Sequence, residues 1–466
     1  MKAFFSLVLL ATSSVFSQSL VVDETFNQAN GFSSPTHITS LLELPDGRIL
    51  VTTKDLFEYN SFSQTKLFVV NEDGIYDSTF SCGTCLGPYI VEHSLLFDQS
   101  IIIAGQFLSY NDVEKKLIAK IDFNGNLDES FNTNLFSDNV NNGFIHQISL
   151  DNAQLVQYSK IYVSGQANNQ RIFIRLNHNG SLDESFIVDS DLDGGDVTSF
   201  AILPDGQIIA NCHGVGLFRL NSNGSIIAQL DFNDGLIGTY LINSIVPLES
   251  GKILLAGNFV FNGEQYTIVR LNQDGSLDDS FLKYNFGFPD DIPIMKTLKI
   301  DNERIIAGGF FDSYFGSENK DLVVLNSDGS FNSTITFGGV SSLFGTNYAS
   351  ISCVLPVSDN KIVVGGFFAK VNDVQKKSLA RLNLSNLDVL EYDNIDDLIT
   401  YTDNQICFFE SQSLISNIEI YDLAGRLFFS DIVNSYSYSY QFQNNSILLY
   451  RLTMNDGKIY TGKMIN

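Results

Sequence analysis

The chain has 466 residues, of which 27 are lysine or arginine and 53 are aspartate or glutamate, so its formal net charge is −26. This excess of carboxylates argues against a nucleic-acid partner, because phosphate binding needs clustered cations. It also argues against an electrostatic hold on anionic lipid. The hydrophobic fraction of 44% is that of a globular protein.

The chain begins with the features of a secretory signal peptide. Lys2 precedes a short apolar run, and small residues follow that place the cleavage point after Ser17. We therefore predict that residues 1–17 are a signal peptide. No later stretch reaches about 18 consecutive apolar residues, so we expect no transmembrane segment.

A four-residue motif, called the repeat phrase below, recurs along the chain: Asp, an acidic or small residue, Ser or Thr, and Phe. Each copy follows a turn glycine, and the turns recur at intervals of about 50 residues. The copies are Asp77–Phe80, Asp128–Phe131, Asp183–Phe186 and Asp278–Phe281, and the turn glycines are Gly74, Gly125, Gly180, Gly224, Gly275 and Gly329. We interpret them as scaffold: glycine permits a positive φ, Asp accepts turn amides, and Phe packs between sheets.

Each repeat predicts four antiparallel strands, which is the pattern of a propeller blade. The fifth unit shows it best, with β-branched and aromatic runs at Ile242–Leu248, Lys252–Phe259 and Tyr266–Asn272. Hairpin dipeptides separate these runs, and Ser276–Phe281 predicts a short fourth strand.

Seven such units span about residues 27–392. We therefore predict an all-β fold in which residues 18–392 form a seven-bladed β-propeller. The phrase also occurs ahead of the first unit, at Asp23–Phe26, while the last unit has only a poor copy at Leu387–Leu390. We expect the N-terminal strand to complete the last blade and close the ring, because closure removes exposed sheet edges.

These repeats resemble the delta-60 repeat family of bacterial β-propellers. The resemblance rests on Arg219–Asn221, on Arg270–Asn272 with Asp274–Phe281, and on Ile174–Asn177 with Gly180–Phe186. It implies a propeller on an exported protein. The family carries no defined catalytic residues that could be transferred to this chain.

The repeat stops near Tyr392, and residues 393–396 read as a linker. Residues 397–466 have a different pattern of short alternating strands, including Ile418–Tyr421 and Ile447–Thr453. This pattern predicts a small β-sandwich.

The C-terminal segment resembles the sorting domain of the type IX (Por) secretion system of Bacteroidetes. The matching features are the turn Tyr421–Arg426, the strand Tyr450–Leu452 and the ending that runs from Gly457 and Lys458 to Lys463–Ile465, while Ser435–Tyr440 is atypical. The resemblance implies that the type IX machinery recognises this domain at the outer membrane and usually removes it. The protein is then expected to be secreted or held on the outer cell surface after passing through the periplasm.

Five cysteines are few for an exported protein. Cys82 and Cys85 form a lone C-x-x-C, for which a local disulfide, unpaired thiols, and metal or redox chemistry all remain open. Cys212, Cys353 and Cys407 stand in apolar, strand-like runs, so we expect them in the core.

One local motif suggests a metal ligand set. Asp189, Asp191 and Asp193 alternate before a glycine, as in loops that wrap oxygen atoms around calcium. The glutamate that an EF-hand needs at position twelve is replaced by Phe200. Calcium therefore competes with a solvated acidic loop, and we expect no other cofactor.

No catalytic motif appears in the sequence: the five histidines lack ligand spacing, and there is neither a G-x-S-x-G elbow nor a P-loop. We predict a non-catalytic binding or adhesion module for an extracellular glycan or protein. The alternatives are an enzyme that degrades extracellular polysaccharide or peptide at a channel mouth, and a structural scaffold of the cell surface. Functional residues are expected where the repeat is broken, at Asn211–Gly214, at the Cys82/Cys85 loop and at the Asp189–Asp193 loop.

Overall fold

A computed structural model shows two compact units, residues 1–384 and 385–466. The predicted signal peptide and the predicted linker lie outside the residues that the structure describes. The described residues are 18–28, 31–55, 58–63, 66–82, 90–133, 143–151, 159–192, 194–230, 241–248, 250–261, 264–282, 294–301, 304–311, 320–332, 335–342, 349–357, 360–384, 398–403, 406–421, 427–441, 447–455 and 459–465.

The described part of the first unit contains eight antiparallel sheets of three or four strands. One consists only of two-residue strands and is given below with the shorter elements; the other seven are numbered here in chain order. Their strands are Ile38–Glu43, Ile49–Thr53 and Leu67–Val70 in sheet 1; Ile90–Phe97, Ser100–Gln106 and Ile118–Ile121 in sheet 2; Gly143–Leu150, Ile161–Ala167 and Gln170–Leu176 in sheet 3; Val197–Ile202, Ile208–Cys212, Gly216–Leu220 and Ile226–Gln229 in sheet 4; Leu241–Pro247, Ile253–Phe261 and Glu264–Leu271 in sheet 5; Ile294–Asp301, Arg304–Phe310 and Leu322–Leu325 in sheet 6; and Ser350–Val357, Lys361–Phe367, Leu379–Asn383 and Val21–Val22 in sheet 7.

Shorter elements decorate these sheets. They are the pairs Gln18–Ser19 with Ile335–Thr336, Glu58–Tyr59 with Phe62–Ser63, and Ser109–Tyr110 with Val113–Glu114; the strands Val340–Ser341, Lys370–Val371 and Val374–Gln375; and a 3-10 helix at Ser190–Leu192. None of the described helices is long and apolar enough to cross a membrane.

The second strands are Ile-, Val-, Leu- and Ala-rich and almost wholly buried, because each sheet packs against a neighbour on both faces. The first strand of each sheet contacts the first strand of the next sheet, and that of sheet 7 contacts that of sheet 1. These contacts form a closed cycle. The strand Val21–Val22 pairs with Leu382 and Asn383 in sheet 7, as the sequence predicts for the N-terminal strand.

The predicted fourth strand is wrong for five of the seven sheets. Sheets 1, 2, 3, 5 and 6 have only an isolated bridge there, such as Leu271 with Leu277. In sheets 1, 2, 3 and 5 the reason lies in the repeat phrase, since its Asp turns the chain after one bridged residue, as Asp278 Oδ1 does by accepting the Ser280 amide at 3.0 Å. Sheets 4 and 6 lack the phrase, and in sheet 4 Ile226–Gln229 forms a full fourth strand.

The Asp of the phrase also anchors a basic side chain. Arg175, Arg270 and Arg381 each donate Nε to it, at 2.8, 2.6 and 2.8 Å. The same guanidinium groups donate to turn carbonyls of the following sheet, at Ser222, Ser327 and Glu72 respectively. The last of these contacts joins sheet 7 to sheet 1.

The Phe of the phrase packs on the turn glycine of the next sheet. A Cβ on Gly74, whose φ is +74°, would lie 2.8 Å from the Phe26 ring, so this contact requires glycine. The residue after the Phe donates its amide to the carbonyl that precedes this glycine, as Asn27 does to Asp73 at 2.6 Å. The scaffold interpretation of the glycine, the Asp and the Phe is therefore confirmed.

Each first strand carries a β-bulge at one shared position. The strand register skips one polar residue in every sheet: Thr39, Glu92, His146, Thr198, Asn243, Lys296 and Ser352. A bulge re-aims a side chain, so a residue at this shared position can take a role that the regular strand positions do not.

The described part of the second unit is one five-stranded sheet. Its strands are Leu398–Asp403, Ile406–Tyr421, Leu427–Gln441, Ile447–Met454 and Ile459–Ile465. The long second strand pairs on one edge with the third strand, and on the other edge with the first strand and then the fourth. Apolar residues from both halves of the long strand share one buried cluster, in which the Phe409 and Tyr450 rings lie 5.0 Å apart.

Candidate functional site at the junction of sheets 3 and 4

Two of the three segments in which the repeat is broken lie side by side in the structure. Both belong to sheet 4: Asn211–Gly214 covers the end of its second strand and the turn that follows, and the acidic loop leads into its first strand. Cys212 Sγ donates to the Leu192 carbonyl at 3.3 Å, and the His213 amide donates to the Asp196 carbonyl at 2.7 Å.

Gly195 permits this close approach. A Cβ at this position would lie 2.1 Å from the His213 carbonyl oxygen, which no side chain could tolerate without backbone movement. The sequence therefore brings the acidic loop against the His213 turn only because residue 195 is glycine.

The Asp196 carboxylate connects this assembly to sheet 3. Gln166 donates Nε2 to its Oδ2 at 2.8 Å, and Arg171 Nε lies 3.2 Å from its Oδ1. Gln166 lies near the end of the second strand of sheet 3, and Arg171 lies near the beginning of the third. The Arg171 side chain remains 48% exposed, so its guanidinium stays accessible to a ligand.

His146 is the bulge residue of sheet 3 and belongs to the same junction. Its ring meets Phe144 edge to face at 4.9 Å, and its Nε2 is buried without a hydrogen-bond partner among the described residues. Burial lowers the pKa of His146; the Asp196 carboxylate opposes this effect, and His213 adds to it. We call His146, Gln166, Arg171, Asp196 and His213 the junction residues.

His93 approaches the junction from sheet 2 but has a structural role. His93 is the residue directly after the bulge of sheet 2. The equivalent residue of sheet 3, Gln147, bridges to sheet 4 by donating Nε2 to the Phe200 carbonyl at 2.8 Å. Burial lowers the pKa of His93 to about 4, and the nearby His146 lowers it further. His93 is therefore uncharged at neutral pH.

The junction gathers polar side chains of two sheets, and Asp196 holds Gln166 and Arg171 in place. The junction offers a guanidinium, a carboxylate, a carboxamide and two imidazole rings, a mixture of donors and acceptors suited to hydroxyl and amide groups. Within the described part of the chain, no group of three His, Cys, Asp or Glu side chains could hold a metal ion.

The calcium hypothesis concerns the adjacent loop. The Asp189 Oδ1 lies 3.4 Å from the Asp191 amide at the start of the 3-10 helix, which is a local turn contact. Asp191 is exposed, and Asp193 lies outside the described residues. A calcium site formed by Asp189, Asp191 and Asp193 therefore stays a prediction.

The remaining sequence candidates lie apart from the junction. Cys82 is disulfide-bonded, which favours the disulfide interpretation, and Cys85 lies outside the described residues. His37 stacks on Phe367 at 4.5 Å, and His178 Nε2 lies 3.0 Å from Asp98 Oδ2. The core positions predicted for Cys212 and Cys407 are confirmed, and Cys353 is half-buried.

Gln166, Arg171 and Asp196 could not be singled out from the sequence. Asp196 lies 30 residues after Gln166 and 25 residues after Arg171, across neighbouring sheets, so only the folded register brings these side chains together. The only sequence signal was that Arg171 and Asp196 stand outside the repeated positions.

Comparison with family models identifies the repeats. The model described as a β-propeller domain of unknown function (DUF5122) matches residues 98–131, 159–186, 249–281, 302–334 and 358–386, about a third of the chain. The repeats are β-propeller repeats. Each match begins at or just before the second strand of sheet 2, 3, 5, 6 or 7, and all five support a propeller of the delta-60 type.

No curated protein matches the propeller chain. Among solved structures, it is similar to the extracellular domain of a protein described as a hybrid two-component system of B. thetaiotaomicron, with a TM-score of 0.47, 12% identity, and coverage of 93% of this chain and 53% of that one. The chain thus spans about half the length of that extracellular domain.

Two further solved structures are similar at lower scores. One is PorZ, a surface component of the type IX secretion system of Porphyromonas gingivalis, with a TM-score of 0.27, 10% identity, and coverage of 92% and 81%. The other is the extracellular domain of a one-component system of B. thetaiotaomicron, with a TM-score of 0.29, 11% identity, and coverage of 92% and 68%. Similarities of this size carry no information about ligand or activity.

Proposed function

We propose that the first unit is a seven-bladed β-propeller, closed by its N-terminal strand, that binds an extracellular ligand at the junction residues. The closed cycle of contacts among seven first strands supports the blade count. The observation that carries the binding role is the convergence of His146, Arg171, Asp196 and His213, which are not repeat residues, from two neighbouring sheets.

We further propose that the second unit is a small β-sandwich that directs type IX secretion, so the protein is secreted or attached to the outer cell surface. One buried cluster shared by both halves of the long strand supports the sandwich. The signal-peptide pattern and the C-terminal motifs support the secretion route. Under this proposal the secretion machinery is the partner of the second unit, and a glycan or protein is the partner of the first.

The binding role can be tested with Arg171→Ala. The exposed Arg171 side chain can be removed without opening the core, so the fold should persist while binding weakens by about tenfold or more. Wild-type protein is first screened against arrays of extracellular glycans and proteins, and the affinity of each hit is measured for both proteins. Lys370→Ala, an exposed cation on the short hairpin between the second and third strands of sheet 7, is the control. Hits bound equally well by Arg171→Ala would contradict the assignment.

The enzymatic alternative remains a second candidate because the junction places two imidazole rings near one carboxylate. Such groups can serve in general acid–base chemistry. Turnover of a polysaccharide or peptide panel that is lost in His213→Ala would favour an enzyme. Binding without turnover would favour the binding module.

A further inference from the structure

A cleft lies where sheet 7 meets sheet 1, and it includes none of the junction residues. Its volume is about 300 Å³, at the lower limit for small-molecule sites. Apolar side chains of Ile49, Val357 and Val363 form part of the wall. The polar lining residues are Thr25, Glu43, Glu72, Asp73, Lys361 and Arg381.

Glu43 departs from the repeat at this cleft. In every sheet, one residue of the first strand pairs with the first isoleucine of the second strand, and in sheet 1 this residue is Glu43, opposite Ile49. The equivalent residues of sheets 2 to 7 are all uncharged and apolar: Leu96, Leu150, Ile202, Pro247, Ile300 and Pro356. The other six sheets fold without a carboxylate at this position, so the fold does not require one in sheet 1.

The two cations of the cleft do not neutralise Glu43. Arg381 Nε and Lys361 Nζ lie 2.8 and 3.3 Å from Asp23 Oδ2, so both cations form ion pairs with the Asp of the Asp23–Phe26 copy of the phrase. The Glu43 carboxylate has neither an ion pair nor a hydrogen bond with any described residue, and burial raises its pKa. Glu72 and Asp73 add two more carboxylates at the rim.

We propose that this cleft binds a primary alkylammonium group on a short apolar stem, such as the side chain of a lysine. The ammonium would pair with the half-buried Glu43 carboxylate, while the stem would contact Ile49, Val357 and Val363. The volume fits one such side chain, and the net charge of −26 attracts cations to the surface. This site is independent of the junction residues.

The test uses the full-length mature protein and Nα-acetyl-L-lysine methylamide as the probe, followed by NMR titration. We expect saturable binding at millimolar concentrations that weakens at high salt, since a partly exposed ion pair is screened. The matched neutral probe, Nα-acetyl-L-norleucine methylamide, should bind at least about tenfold more weakly. Equal binding of the two probes, or no binding of the lysine probe, would overturn the proposal.

Variants assign the binding to the cleft. Glu43→Gln keeps the shape of the side chain and removes its charge, so it should weaken binding of the lysine probe by about tenfold, which is about 1.4 kcal/mol. Glu43→Leu restores the residue found in sheets 2 and 3, so it should abolish binding and raise the unfolding temperature. Glu184→Gln, at an exposed phrase position, should bind like the wild type. Wild-type affinity in Glu43→Gln would refute the site.

Discussion

At the scale of single residues, the Asp of the repeat phrase combines three roles in one carboxylate. In the third repeat, Asp183 accepts the Ser185 amide with Oδ1 and the Arg175 guanidinium with Oδ2, while Lys160 Nζ lies 3.1 Å away. Burial would raise the pKa of Asp183, but the hydrogen bonds from Ser185 and Lys160 and the Arg175 charge hold it well below its usual range. Arg175 also lies over the Phe186 ring at 5.1 Å, so the carboxylate orients the contact to the next sheet.

Asp183→Asn should therefore destabilise the first unit. The substitution leaves Arg175, whose side chain is only 11% exposed, beside a neutral amide, at a cost of about 2–4 kcal/mol. Urea unfolding of the mature protein measures the loss. Glu184→Gln, one residue away and exposed, is the control and should change stability by less than about 0.5 kcal/mol. Equal stability of the two variants would show that the Asp183 pairs do not stabilise the fold.

The stability of the first unit is expected to depend on pH through its buried histidines as well as through its carboxylates. The pKa of His93 is lowered to about 4, so the folded state binds fewer protons than the unfolded state between this value and the ordinary histidine pKa of about 6.5. Stability is then fully present above about pH 6.5 and is lost as the pH falls towards 4. The carboxylates act lower, since Asp23 has a pKa of about 2 and contributes stability that is lost below about pH 4.

Replacing His93 by Gln should separate the two ranges. Gln stands at the equivalent position of sheet 3, where Gln147 bridges to the next sheet, so the fold should tolerate it. The free energy of unfolding of the wild type should fall by at most about 3 kcal/mol between pH 6.5 and 4 from this residue, and the fall should be smaller in His93→Gln. Unfolding curves at half-unit pH steps give the comparison. Parallel curves for both proteins would contradict the role of His93.

At the scale of elements, the N-terminal strand completes sheet 7 and then contacts sheet 1. Val21 and Val22 pair with Asn383 and Leu382, and Phe26 is fully buried against Gly74. The sequence predicted this strand from the copy of the phrase that precedes the first unit, because hydrophobic pattern and repeat spacing can be recognised in the sequence alone. The bulges and the single-bridge fourth strands could not be predicted, since both depend on hydrogen-bond register between strands.

Removing residues 18–28 should open the cycle of sheets. The loss of the buried Phe26 and of the Asp23–Arg381 pair costs roughly 5 kcal/mol, which corresponds to a fall of about 6 °C in the unfolding temperature of a unit of this size. Differential scanning calorimetry measures the fall. A peptide of residues 18–28 added in trans should restore part of it by strand addition, whereas a scrambled peptide should not. An unchanged unfolding temperature after truncation would mean that the strand does not close the ring.

At the scale of the whole molecule, periodic residues could be interpreted from the sequence and convergent ones could not. Repetition in phase revealed the turn glycines, the Asp and the Phe, because the same contact recurs in each sheet. Arg171 and Asp196 occur once each, and Glu43 looks like any other acidic residue until the register places it opposite Ile49. Candidate sites in this propeller are therefore visible only as departures from a frame that the folded register defines.

The division of the chain into two units gives the secretion hypothesis a direct test. If residues 397–466 are a sorting signal, their deletion should leave the propeller folded in the periplasm, because the first unit ends at Leu384 and keeps its own buried clusters. Cell fractionation of the source bacterium locates the truncated protein, and mass spectrometry of the exported wild type should find an N-terminus near Gln18 and no C-terminal unit. Fusing residues 397–466 to a periplasmic reporter is the reciprocal control and should carry the reporter out of the cell. Unchanged export of the truncated protein, or a reporter that stays in the periplasm, would refute the sorting role while leaving the ligand-binding proposals for the propeller untouched.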